Sequence, residues 1–358
     1  MNIVFVNATR RFGGVKAWTL DMARKLKDFG HNVFIFARPG PFLEMAREAG
    51  LDARAPYFGL DYNPIGVLGF RRFFRKEHID VVVLNVGKDM RIAGVAAKLA
   101  KIPTVQRIGL PRDMRDTFKV RLTHDVVHPW VLVPCEYIRE GLLSEFSFLN
   151  PQEIHVILTG KDPAKTPPEI VNTPRRLIVT SQLNPDKGHR ELFIALSELK
   201  SKRFNFHCHI LGTGEIEQKL HDLGDSLGLS DRLTWHGFQK DVRSHLSKAD
   251  IFVLPSKSEG LPNTLLEAMA EGLVPVAGDV GGVSEVQPPK DTPGMPDFIF
   301  DPNQGIHGLI RCLETALLAP DEQILAWKKN VWQWFGENFS LDKQARLLEK
   351  WLESRTGP

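Results

Sequence analysis

Glu259 and Glu267 stand in the stretch SEGLPNTLLEAMAEGLVPV (258–276), with seven residues between them, Pro262 among these. An ionised carboxylate only accepts hydrogen bonds, so each is suited to hold hydroxyl groups, a vicinal diol above all. Pro262 fits the first position of a helix, where its missing N–H would be unpaired anyway. Leu261 before it cannot cap with its side chain, so the first free amides of that helix are candidates to receive an anion, helped by the helix dipole. Leu265, Leu266, Met269 and Ala270 would pack on a sheet, and Glu259 would lie in the loop past a strand end, where α/β sheets bind ligands. A plainer alternative leaves Glu259 facing only the dipole and Glu267 solvated on the surface. The spacing alone keeps both readings open.

The elements around this stretch alternate strand and helix. IVFV (3–6) is a short apolar run, RRFGG (10–14) a loop, and Val15, Trp18, Met22, Leu26 and Phe29 recur at three- and four-residue steps, the stripe of an amphipathic helix. Gly30 is placed to end that helix, and NVFIFA (32–37) follows as a strand. This is a βαβ unit, and such units build parallel sheets. DVVVLNV (80–86), PTVQRIG (103–109), PWVLVPC (129–135) and IHVILTG (154–160) read as further strands, with RIAGVAAKLAK (91–101) a helix. KDPAKTPPEIVNTPRR (161–176) holds four prolines and reads as a linker. The alternation then restarts, with strands predicted at 176–183, 206–212, 232–237, 250–256 and 273–278 and helices at 189–202 and 215–229. The tail 321–355 is helical, and its Trp327, Trp332, Trp334 and Trp351 are expected in core packing.

The chain has 358 residues, enough for two domains, and its 42% apolar and 25% charged content is that of a globular protein. Its 46 Lys and Arg against 43 Asp and Glu leave a net charge of only +3, so no nucleic-acid partner is expected. Cys135, Cys208 and Cys312 are too few and too far apart for a disulfide framework or a Cys-based zinc site, which fits a reducing cytoplasm. MNIVFVN runs straight into a strand without the basic and apolar regions of a leader.

At this point the sequence resembles a known family. ADIFVLPSKSEGLPNTLLEAMAEGLVPVAGDVGGVSEV (249–286) closely matches the donor-site signature of the family four glycosyltransferases (glycosyl transferases group 1), retaining enzymes of the GT-B fold. The segments 12–36, 156–162, 182–196, 210–215 and 233–238 are similar to other family segments in the same order. The resemblance implies an α/β protein of two Rossmann-like βαβ domains facing across a cleft. Residues 1–165 would form an acceptor-side domain, 170–320 a nucleotide-sugar domain, and 321–358 helices packing back on the N-terminal domain. It implies that Glu267 holds the ribose hydroxyls and Glu259 the donor sugar, and that the amides of Gly260 and Leu261 meet the diphosphate. Lys187 would neutralise the departing phosphate, and Gly13 and Gly14 would let the N-terminal loop approach it. Two positions depart from the family. Gln182 stands where an arginine is common and Ser181 where a glycine is. The family often has a histidine in the segment that here reads VQRIGLPRD (105–113), where Arg107 and Arg112 have no assigned role.

The implied function is retaining transfer of a hexose-type sugar from a nucleotide-sugar, UDP-linked, to a glycan or lipid-linked glycan acceptor at the cell surface, such as lipopolysaccharide core or exopolysaccharide. The alternatives are a non-catalytic nucleotide-sugar-binding subunit and a UDP-sugar epimerase of the same fold. Other signals are weaker. GTGEIE (212–217) has Glu217 where a dinucleotide fingerprint needs its third glycine. His207 and His209 share one face of a strand without an evident third ligand, and no Asp-x-Asp is present, so neither metal nor cofactor is expected. GFRRFFRKEH (69–78) mixes basic residues with three Phe and could make a peripheral contact with the inner face of an anionic membrane. An ordinary amphipathic helix with a solvated face is the simpler explanation.

Overall fold

The computed structural model describes residues 1–9, 13–288 and 294–356. The expected loop residues Arg10, Arg11 and Phe12 lie outside them. The chain divides into two units, 1–160 with 341–358 and 161–340.

In the first unit seven parallel strands form one sheet. They are β1 (Asn2–Asn7), β2 (Asn32–Ala37), β3 (Asp52–Arg54), β4 (Val81–Leu84), β5 (Thr104–Arg107), β6 (Trp130–Val133) and β7 (Ile154–Val156), in the order β3-β2-β1-β4-β5-β6-β7. A parallel sheet is covered on both faces, so its strands are continuous apolar runs rather than alternating ones. β1 shows this. Ile3 and Phe5 enter one core with the helices Gly14–Asp28 and Leu341–Thr356, while Val4 and Val6 enter another with the helix Pro64–Lys76. Phe5 and Trp18 meet edge to face, 6.2 Å between ring centres. Each such ring removed from water stabilises the unit by roughly 1.5–3 kcal/mol. The helix expected at 91–101 begins earlier, at Gly87, and passes through a π-helical stretch at Met90–Gly94.

The second unit carries β8 (Arg175–Thr180), β9 (Phe206–Leu211), β10 (Leu233–Gly237), β11 (Ile251–Leu254), β12 (Val274–Gly278) and β13 (Ile299–Phe300), in the order β10-β9-β8-β11-β12-β13. Leu177, Val179, Cys208, Ile210, Ile251 and Val253 line one face and bury Leu192, Phe193, Leu196 and Leu199 of the helix His189–Ser201.

Three expectations change. The domain limits of 165, 170 and 320 give way to 160/161 and 340/341, because the proline-rich segment and the first tail helix belong to the second unit. Asn172 donates its amide and side-chain N–H groups to the fully buried Asp250, and Ala164 donates to the Ala270 carbonyl. Lys328, on the helix Asp321–Phe339, reaches the same Asp250 at 3.2 Å and the carbonyls of Ile170 and Ala249. A buried lysine needs those partners, so this helix stays with the second unit. Leu341–Thr356, after the break at Ser340, belongs to the first unit and packs in its core through Ala345, Leu348, Trp351 and Leu352. The third change concerns 69–78. Phe70 and Phe74 are buried and Phe73 packs against the same core, so the apolar side of this helix serves the first unit's own packing. Arg72, Arg75 and Lys76 remain exposed. Among the described residues no helix is long and apolar enough to cross a membrane.

Candidate functional site

In the second unit β8 and β11 are neighbours, and the sheet grows from them in opposite directions, through β9 and through β12. The crevice beyond the carboxyl ends of two such strands is the general ligand position of open α/β sheets. Both loops that leave these strands carry residues singled out in the sequence. The β8 loop ends in a tight turn, Pro185–Lys187, followed by Gly188 at φ +70°. A Cβ at Gly188 would collide with the Pro255 carbonyl just past β11, so only glycine lets the loops touch. The Lys257 N–H donates to the Asp186 carbonyl at 2.9 Å and locks the contact. As a result Lys187 Nζ lies 2.8 Å from Glu259 Oε1, with 20% and 14% of the two side chains exposed. The two candidate catalytic residues are thus one half-buried, charge-assisted pair.

The rest of the β8 loop is fixed from the other side. Leu183 donates to the Thr213 carbonyl and accepts from Ile216 N–H. A Cβ at Gly212 would strike the Ser181 carbonyl and one at Gly214 the Leu183 backbone. The glycines of GTGEIE therefore serve close backbone packing. Gln182 sits on this loop, exposed, with its side-chain oxygen accepting from Asn184 at 3.3 Å; it bonds to neither Lys187 nor Glu259 among the described residues. His189, 1% exposed, meets Ser181 Oγ at 3.2 Å, and burial, with Lys187 nearby, pushes its pKa down to about 4. It is therefore neutral, and its Nδ1 has no partner among the described residues.

The loop holding Gly260 and Leu261 is backed by a second glycine turn. Gly282 N–H donates to the Gly260 carbonyl at 2.7 Å, and a Cβ on Gly281 would collide with the carbonyls of Glu259 and Gly260. Pro262 is the cap rather than the first helical residue, one position off the expectation, and the helix is Asn263–Ala270. No side chain caps it, and its first closing bond is Leu266 N–H to the Pro262 carbonyl. The amides of Asn263, Thr264 and Leu265 consequently have no partner within the helix. Glu267 stands further along, 35% exposed, 3.4 Å from Lys161 Nζ. The structure thus keeps Glu267 apart from the Lys187–Glu259 pair and gives it its own cation. Sequence reading missed Lys161, which carries no local signal. It is the first residue of this unit and meets Glu267 only through the fold.

Gly13 and Gly14 lie in the first unit, at the start of the helix Gly14–Asp28, and the Gly13 carbonyl accepts from Lys16 and Ala17 N–H. Gly13 has an extended backbone that any residue adopts, and a Cβ there would meet no atom of the described residues within 4 Å. Among the described residues nothing asks for glycine at that position. Between the ends of β1 and β4, the fully buried Asp89 accepts from the amides of Ala8, Asn85 and Val86 at 2.8, 3.1 and 2.9 Å, while burial pushes its pKa up to about 7. Arg107 is also buried, stacked 4.3 Å over the Trp18 ring, with burial lowering its pKa to about 10. Its Nη1 has no hydrogen-bond partner among the described residues. Arg112, in contrast, lines a pocket.

The histidine pair on β9 makes local contacts. His207 Nε2 bonds Thr234 Oγ1 at 2.8 Å and His209 Nδ1 meets His236 Nε2 at 3.0 Å. Among the described residues the one group whose ligand atoms converge is His31, Glu349 and Glu353, where His31 Nε2 and Arg346 already bind the Glu349 carboxylate at 2.7 and 3.0 Å.

Residues 161–334 match the family model of the glycosyl transferases group 1, and residues 12–108 that of glycosyltransferase family 4. The amylovoran biosynthesis glycosyltransferase AmsK of Erwinia amylovora is 31% identical over 146 residues, 38% of this chain and 36% of that protein. The lipopolysaccharide 1,6-galactosyltransferase of Escherichia coli K12 is 31% identical over 108 residues, 29% of this chain and 30% of its own. The chain thus spans only about a third of the length of such curated relatives. Among solved structures, Anabaena Alr3699/HepE in complex with UDP superimposes with a TM-score of 0.82 at 18% identity, covering 99% of this chain and 100% of that one.

Proposed function

Since the chain belongs to the glycosyl transferases group 1 and has the GT-B fold, we propose that it transfers a hexose-type sugar from a UDP-linked donor, with retention of configuration, to a growing cell-surface glycan in the cytoplasm. The observation that carries the reading is the Lys187–Glu259 pair beside an uncapped helix start at the strand ends. A diphosphate fits the amides of Gly260, Leu261 and the helix start, because oriented N–H groups and the dipole favour an anion there. Lys187 then balances the negative charge that grows on the diphosphate as the sugar–phosphate bond breaks. Glu259, released from Lys187, accepts from hydroxyls of the donor sugar, and Glu267 accepts from the ribose diol. In this reading the cation and the amides do the work a divalent metal would do elsewhere.

The UDP in the Alr3699/HepE complex supports the choice of base, and the names of AmsK and of the galactosyltransferase support a bacterial surface polysaccharide or lipopolysaccharide acceptor. The thiols of Cys135, Cys208 and Cys312 are buried and form no disulfide, which suits a reducing compartment. Incubation with a panel of nucleotide-sugars, with released nucleotide followed by mass spectrometry, tests the proposal. UDP released from one UDP-sugar is the expected result. Release from none, with no nucleotide bound, defeats it.

A further inference from the structure

The first unit holds a pocket of about 280 Å³ that the donor reading leaves unused. It opens beside β5, between the turn Pro111–Asp113 and the helix Phe118–Val127. Four cations line it, Arg91, Arg112, Arg115 and Lys119, against one carboxylate, Asp113. Asp113 is engaged in the wall itself, accepting from the amides of Gly109 and Leu110 at 3.2 and 2.8 Å. Asp61 pairs with Arg91 at 3.0 Å and with Lys119. Arg112 and Arg115 are exposed and have no ion-pair partner among the described residues. The remaining titratable group of the lining, His124, adds no charge, since burial pushes its pKa down to about 4.

The floor is polar in a different way. Gln106 is 5% exposed and lines the pocket, yet its buried Oε1 has no hydrogen-bond partner among the described residues. An unpaired buried carbonyl oxygen calls for a donor. A hydroxyl supplies one, and the cations above call for an anion. The volume, at the small end of ligand pockets, suits one sugar residue rather than a length of chain. We propose that this pocket takes an acceptor sugar residue bearing an anionic group, a phosphate or a carboxylate, with Gln106 holding a hydroxyl and Arg112 and Arg115 the anion. The inference rests on the glycosyl-transfer reading for the word acceptor, and on this unit alone for the chemistry.

The test uses the full chain and keeps the two readings separate. UDP is titrated first; failure to bind it counts against the donor reading and leaves the pocket to its own measurement. Glucose 6-phosphate, glucuronate and glucose are then titrated, with UDP present to fill the donor position. At least one anionic sugar should bind about tenfold or more tighter than glucose, the range of a charge-assisted hydrogen bond. Which of the two does so identifies the anion. Arg112→Glu with Arg115→Glu should weaken that binding by about tenfold or more and leave UDP affinity alone. Gln106→Leu should weaken glucose and the anionic sugar alike. Equal affinity for glucose and both anions, no response to charge reversal, or no binding of any of the three sugars overturns the proposal.

Discussion

Replacing Lys187 by alanine should separate turnover from affinity. In the resting protein Lys187 Nζ holds Glu259 at 2.8 Å, so its charge is partly balanced before any donor arrives. Binding a diphosphate exchanges one anionic partner for another, and the net gain in donor affinity is small. Breaking the sugar–phosphate bond adds negative charge at the diphosphate, and a fixed cation stabilises that charge more than it stabilises the bound donor. Loss of one such stabiliser costs about 2.7–4 kcal/mol, or roughly a hundred- to a thousandfold in turnover. Gln182 stands on the same loop, exposed and uncharged, so Lys187 carries this role without help from that position. Gln182→Arg should therefore leave activity equal or higher. The substitution at Lys187 also leaves Glu259, 14% exposed, without its cation, which should cost about 1–3 kcal/mol of stability, the penalty of a buried polar group left unpaired. Steady-state kinetics on folded variant, with its melting point as control, decide the matter. Lys187→Ala with native turnover refutes the argument. A native chain that binds UDP without turnover, while Gln182→Arg gains it, would instead favour a non-catalytic nucleotide-sugar-binding subunit.

Three further outcomes follow from the same geometry. Gly188→Ala should destabilise the second unit by at least about 2 kcal/mol, since the residue has φ +70° and its Cβ would collide with the Pro255 carbonyl; a native denaturation midpoint would show that the two loops do not need that contact. His189 and His124 are buried with pKa values near 4 against an ordinary 6.5, so the unfolded chain binds protons first as pH falls. Their contribution is intact above 6.5 and is lost through the window down to about 4, at roughly 1.4 kcal/mol per pH unit for each; melting points measured across that range should fall, and fall less steeply in a His124→Gln, His189→Gln double variant. Donor turnover should survive EDTA if, as proposed, amides and Lys187 meet the diphosphate; loss of turnover restored by magnesium or manganese would contradict this.

Much of this could be read from the chain because the signals are local. Continuous apolar runs such as IVFV and DIFVLP announce strands buried on both faces, and Pro262 marks a helix start to within one residue. The resemblance at 182–196 and 249–286 singled out Lys187 and Glu259, which the fold places 2.8 Å apart. What was not legible depends on distant partners. Lys161 meets Glu267 only after the second unit has folded, and Lys328 holds the first tail helix to Asp250 across 78 residues of chain. The tail pattern alone therefore shows a helix and not the break at Ser340, nor which unit each half serves. The three Phe of 69–78 have the spacing of an amphipathic stripe, and that spacing is the same whether the apolar side meets a lipid surface or a sheet. In the fold Phe70, Phe73 and Phe74 pack against one core. The glycines of GTGEIE look like a nucleotide fingerprint because close backbone approach to a ligand and close backbone approach to another loop make the same demand.

The central claim is that a nucleotide is held where the β11 loop meets its helix, and calorimetric titration of UDP into native chain and Glu267→Ala tests it most directly. The Glu267 side chain is 35% exposed beside Lys161, oriented by that cation and open to a diol. Charge-assisted hydrogen bonds of this kind are worth about 1.5–3 kcal/mol, so the variant should bind UDP about tenfold or more weakly while keeping its melting point. Unchanged affinity in a folded Glu267→Ala would contradict the account, and would place the nucleotide elsewhere on the chain.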